Sequence, residues 1–161
     1  MGGTALTTLA LTASRQHFIP FTVPRTVVLT GLRISVTTAA AGTTAIGIYG
    51  NTQVAGNDSP GSLLVSATGL DTGTTGDKTG TVSYTLNPGT LYWASLIGSA
   101  AATLRALAVN SIQTSLGRTA NNTTVVSHLF VAGSGSTLPD PASTSLADNT
   151  GSVPAIYLVG S

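Results

Sequence analysis

The chain contains no glutamate and no cysteine, and its only lysine is Lys78. Without cysteine there can be no disulfide and no thiolate metal centre, although the compartment is left unread. Charged residues make up 7% of the 161 residues, against roughly 25% in an ordinary globular domain. The formal net charge is +1, which gives neither nucleic acid nor an anionic membrane an electrostatic reason to bind. Long apolar runs are also missing. Residues 79–104 carry no charge, but Asn87, Pro88 and several Thr and Ser break the stretch well short of the ~20 apolar residues a spanning helix needs, so no membrane insertion is expected. No heptads occur, which leaves no coiled-coil shaft within the chain. A signal peptide is not expected, because no basic residue precedes Arg15 and Thr breaks each N-terminal apolar run.

What the chain does have is hydroxyls and turns. Ser and Thr fill more than a quarter of it, and there are 19 glycines. Thr suits a pleated surface and Gly suits turns, so this composition favours β-structure. It fits proteins displayed outside cells or on particles better than cytoplasmic enzymes. The length suits one domain, residues 1–161, with a core of its own.

Period-2 alternation recurs along the chain. In 27–38 (VVLTGLRISVTT) it puts Val28, Leu32, Ile34 and Val36 on one face and Arg33, Ser35 and Thr37 on the other. In 44–50, Ile46 and Ile48 oppose Gly47 and Tyr49; in 80–86, Val82, Tyr84 and Leu86 oppose Thr81, Ser83 and Thr85. Further strands are expected over 4–12, 18–23, 63–69, 90–97, 103–110, 123–132 and 154–159, giving about eight to ten in all. Turn signals separate them: AAAGTT, GNDSPGS, DTGTTGDKTG, NPG and GSGSTLPDP. The Ala content of 99–108 would allow a short helix, but its neighbours favour strand. The pattern implies an all-β, antiparallel, jelly-roll-like β-sandwich.

One stretch stands out. Asn87-Pro88-Gly89 fits a type II turn. The strand after it is apolar on both faces, with Leu91, Trp93 and Ile97 on one and Tyr92, Ala94 and Leu96 on the other. Such a strand lies centrally and touches something beyond its own core, either a covering loop or a neighbouring subunit.

Catalytic signals are absent. All five acids, Asp58, Asp71, Asp77, Asp140 and Asp148, fall in segments that read as turns, and no pair is placed as in a glycosidase. Neither G-x-S-x-G nor H-E-x-x-H occurs. His128, in an apolar strand with Val126 and Phe130 on its face, reads as a core or interface histidine, and His17 is the only other one. Asp71 and Asp77 flank Gly73 and Gly76 loosely as in a calcium loop, but the closing Glu is lacking and a solvated hairpin loop is the better reading. No catalytic residue, cofactor or metal is therefore assigned. Tyr49, Tyr92 and Trp93 are the candidates for a sugar-stacking surface, set against the commoner role of strand aromatics as core.

Four stretches in order carry a resemblance: HFIPFTVPRTVVLTGLRISVTTAAAGTTAIGIYG (17–50), SPGSLLVSATGLDT (59–72), LNPGTLYWASLIG (86–98) and GSVPAIYLVGS (151–161). The set resembles the terminal β-sandwich module of tailed-bacteriophage virion proteins, found in tail fibres, head fibres and capsid decoration proteins. The resemblance implies a homotrimer at the virion surface, with no cofactor, an attachment or decoration role, and other virion proteins or a host-surface glycan as partners. The rival readings are a carbohydrate-binding module of an extracellular bacterial protein and a hydrolase with an unrecognised site.

Overall fold

The computed structural model describes residues 6–108, 126–133 and 135–161. Among them the structure is all-β, an antiparallel sandwich of two six-stranded sheets. The strands are β1 (Leu6–Ala10), β2 (Gln16–Phe21), β3 (Val27–Thr38), β4 (Thr43–Val54), β5 (Asn57–Asp71), β6 (Gly76–Leu86), β7 (Tyr92–Gly98), β8 (Thr103–Leu107), β9 (His128–Val131), β10 (Ala147–Asn149), β11 (Val153–Pro154) and β12 (Tyr157–Gly160). One sheet has the order β10-β9-β2-β7-β4-β5; the other runs β1-β8-β3-β12, with β6 also on β3 and β11 also on β8. The chain changes sheet repeatedly, from β2 to β3, β3 to β4, β5 to β6, β6 to β7 and β7 to β8, which is the jelly-roll-like trait of the fold.

The alternation places the inter-sheet core. Leu32, Ile34 and Val36 of β3, Ile46 and Ile48 of β4, Val82 and Leu86 of β6, and Tyr92, Ala94 and Leu96 of β7 meet there. Val28 does not join them. It is 44% exposed while Leu29 is fully buried, because the register of β3 shifts between Leu29 and Gly31. An extra residue at such a bulge turns the preceding side chains to the opposite face.

Turn chemistry accounts for the other departures from sequence expectation. The β4–β5 hairpin turns at Ala55 and Gly56, which pair Val54 with Asn57 and both have positive φ, 51° and 79°. This is the primed geometry that matches strand twist. Ser59, Pro60 and Gly61, expected in a turn, are therefore part of β5. Pro60 is tolerated because β5 ends its sheet. Gly89 has φ 74°, as the second central position of a type II turn requires. That turn carries the chain from one sheet to the other, so β6 and β7 do not form a hairpin. Residues 99–102 are not helical, and β8 follows them.

The C-terminal stretch expected as one strand is split in two. The ends of β3 and β8 pair at Val36–Leu104 and Thr38–Thr103 and then diverge. Into the fork runs β11 along β8, with Val153 opposite Leu107; the chain turns at Ala155–Ile156 and leaves as β12 along β3, with Tyr157 opposite Arg33. The backbone N–H of Ala155 bonds the Arg105 carbonyl at 2.9 Å at the head of this wedge.

Candidate functional site

The three aromatic candidates lie in the six-stranded sheet centred on β7. That strand sits between β2 and β4, and all seven of its residues are buried. Even positions face the inter-sheet core, while Trp93 and Ser95 face outward with Phe18 and Tyr49. A loop covers this outer face. Leu138, Ala142 and Leu146 pack on a second cluster formed by Phe18, Tyr49, Trp93 and Leu129. Of the two covers open to a two-faced strand, the structure uses a segment of the same chain.

This strap is tied down by named bonds. The Tyr49 hydroxyl donates to the Pro139 carbonyl at 2.7 Å and accepts from Gln16 Nε2 at 3.2 Å. Gln16 Nε2 also reaches Ser95 Oγ at 2.9 Å. The Asp140 carboxylate accepts the Leu63 N–H at 2.9 Å, and the Ala142 N–H bonds the Gly61 carbonyl at 2.9 Å. Both contacts occupy polar groups of edge strand β5, which removes part of an exposed edge. Gly47 is required beneath the strap, since a Cβ there would lie 2.8 Å from Leu138 Cδ1 and 2.9 Å from the Val65 carbonyl oxygen. Burial first, with Asp140 adding to it, pushes the Tyr49 hydroxyl up to about 12 against the opposing effect of the Gln16 bond.

These contacts correct the sugar-stacking assignment. Tyr49 and Trp93 are fully buried and Tyr92 is 3% exposed, so none offers a ring face to a glycan. Trp93 Nε1 donates to Asn51 Oδ1 at 2.9 Å, and Asn51 Nδ2 donates to Asp58 Oδ1 at 2.8 Å. The Tyr92 ring faces the inner core, where its hydroxyl accepts the Asn87 N–H at 2.9 Å. That bond fastens the type II turn to the strand that follows it.

The second polar cluster joins β2 to β9. His17 Nδ1 lies 2.8 Å from His128 Nε2, and both side chains are buried. His128 Nδ1 lies 3.0 Å from Ser127 Oγ, which is also 2.9 Å from the Asn149 carbonyl and 2.8 Å from that of Gly151. Proton accounting orders this chain. A hydroxyl has one hydrogen and carbonyls have none. With the Ser127 hydrogen on a carbonyl, His128 Nδ1 is a donor, His128 Nε2 an acceptor, and His17 Nδ1 the donor to it. His17 Nε2 then carries a lone pair and has no protein partner. Both rings are neutral. Burial, then the Arg15 charge, lowers His17 to about 4; burial, then His17 and Arg15, lowers His128 to about 3. The Arg15 guanidinium stacks 4.5 Å over the Phe130 ring beside them.

A serine beside two histidines invites a nucleophile reading. Here Ser127 is fully buried, and its hydroxyl lies within hydrogen-bond distance of two backbone carbonyls as well as of His128 Nδ1, so the cluster ties β9 to the segment 149–151. Val126, expected on the His128 face, packs instead on the outer cluster, since β9 begins only at His128.

The acids are dispersed, and four of them lie on strands: Asp58 and Asp71 in β5, Asp77 in β6 and Asp148 in β10. Asp71 closes its own loop by accepting the Gly73 N–H at 2.8 Å, whereas Asp77 pairs with Arg33 at 3.4 Å. The two ends of the supposed calcium loop thus serve different partners. Among the described residues, no three His, Asp, Glu or Cys side chains gather as metal ligands. Comparison of the chain with protein-family models, curated proteins and solved structures returned no match.

Proposed function

We propose that the chain is a structural module of a tailed-phage particle, a trimeric fibre head or capsid decoration domain with an attachment or decoration role at the virion surface. One observation carries this reading. The four stretches that resemble the phage module coincide with the parts that define this sandwich. Residues 17–50 hold β2 to β4 and 59–72 lie on edge strand β5. Residues 86–98 form the crossover into central strand β7, and 151–161 form the wedge in the fork. The paired histidines and the Tyr49–Gln16–Ser95 bonds serve the fold, in keeping with a module that assembles and binds rather than turns over substrate. Any glycan it binds at a host surface meets its Ser- and Thr-rich exterior, because the three aromatics are covered. That burial also weakens the carbohydrate-binding-module rival, whose stacking surface it removes.

Size-exclusion chromatography with light scattering tests the reading. A particle three times the 16.0 kDa chain mass is expected. A stable monomer that binds polysaccharide would overturn it in favour of the rival.

A further inference from the structure

Between the two sheets, beneath the wedge, lies a pocket of about 310 Å3 that is partly open to solvent. Ile19 and Phe21 of β2 and Ala94 of β7 line one side, and the turn at Ala155 and Ile156 lines the other. Its origin is local. Ala94 stands in register between Ile19 and Ile48, so the row drops to a methyl at the centre of the sheet. Opposite it, the fork is filled by a turn that again presents an alanine. At the mouth sit Leu6 and Leu158, 55% and 37% exposed, two of the large apolar side chains that face solvent.

We infer that this cavity binds a single unbranched aliphatic chain, with the chain's polar end left at the Leu6–Leu158 mouth. Among the described residues that line the space none is charged, and Tyr157 is the only one whose side chain carries a polar group. Enclosed apolar cavities of about 150 Å3 take up benzene, and a water held against an apolar lining lacks the two to four polar partners it needs. This space is about twice that size. At roughly 30 Å3 for each water-sized group, it accommodates on the order of ten methylenes. A charged or strongly hydrogen-bonding ligand would lose its hydration and find nothing in return. The inference stands on the cavity alone and does not depend on the virion reading.

The test is titration of the purified chain with 1-decanol by calorimetry, together with NMR detection of contacts between decanol methylenes and the side chains of Ile19 and Phe21. Saturable binding of one decanol per chain is expected, with those contacts present. Ala94→Leu and Ala155→Leu fill the cavity from opposite sides, and whichever variant folds should bind at least tenfold more weakly. No binding, or binding without contacts to Ile19 and Phe21, would overturn the inference. So would attachment to phosphatidylcholine vesicles without uptake of free decanol, which would mark a membrane-facing surface. Binding that appears only once Leu6→Ser or Leu158→Ser has separated an oligomer would show that a second copy of the chain covers the mouth, and would overturn it as well.

Discussion

His17 and His128 share a hydrogen bond of 2.8 Å between two buried neutral imidazoles, one on β2 and the other at the start of β9. The bond is lost once its accepting nitrogen, His128 Nε2, takes up a proton, and a proton on either ring also places a charge in a buried site. In the unfolded chain each ring takes up a proton near its ordinary value of 6.5, whereas in the fold they do so only near 4 and 3. Below pH 6.5 the unfolded state therefore binds more protons, and stability falls as the pH falls. The loss approaches about 1.4 kcal/mol per pH unit for each histidine and ends only when the folded rings titrate. Urea unfolding followed by circular dichroism should show full stability above pH 7 and a steep decline between pH 6 and 4. The double variant His17→Leu/His128→Leu should flatten that decline. An unchanged slope would mean that the pair is not its source.

The strap makes a second prediction. Tyr49→Phe keeps the ring that stacks edge-on against Phe18 but deletes the hydroxyl that bonds the Pro139 carbonyl and Gln16. A buried group left without its partner costs about 1–3 kcal/mol. The loss should be local as well as global, with amide exchange rising first over 138–142. If exchange there stays at the wild-type rate, the hydroxyl does not hold the strap.

Trp93, the only tryptophan, has no exposure to solvent. Its fluorescence should be that of a buried indole, resistant to iodide quenching and indifferent to added polysaccharides. Trp93→Ala should cost about 3–5 kcal/mol, the range for deleting a large aromatic from a core. A polysaccharide that shifts the emission would restore the stacking role that the strap denies it.

The inner core was legible because alternation survives wherever a strand keeps its register. Ile46 and Ile48, and Val82 and Leu86, fall where period 2 puts them. Val28 was misplaced because a one-residue shift within β3 reverses the phase and leaves no mark in the composition. The aromatics were recognised as a two-sided strand, but their cover, Leu138 to Leu146, lies in the least patterned part of the chain. Its hold depends on single contacts between residues far apart in sequence, such as Tyr49 with Pro139 and Leu63 with Asp140. The histidine pair was hidden for the same reason. Each ring alone looks like an ordinary core residue, and only the pairing of β2 with β9 brings them together.

Oligomeric state provides the last prediction, and its physical ground shifts with the structure. Strand β7 does not need a neighbouring subunit, since the strap already covers its outer face. Among the described residues, the large apolar side chains left for association away from the Leu6–Leu158 mouth are Val28 and Val54. Six basic and five acidic residues in the whole chain cannot supply a dense network of intersubunit ion pairs. A trimer must then be held by hydroxyl contacts and by apolar burial at roughly 25 cal/mol per Å2. Salt screens charged contacts and leaves apolar ones intact, so the trimer should keep its mass between low and high salt in light scattering. Dissociation at high salt would place charges in the interface despite their scarcity. A monomer at micromolar concentration under both conditions would remove the trimer, and with it the main quantitative expectation of the virion reading.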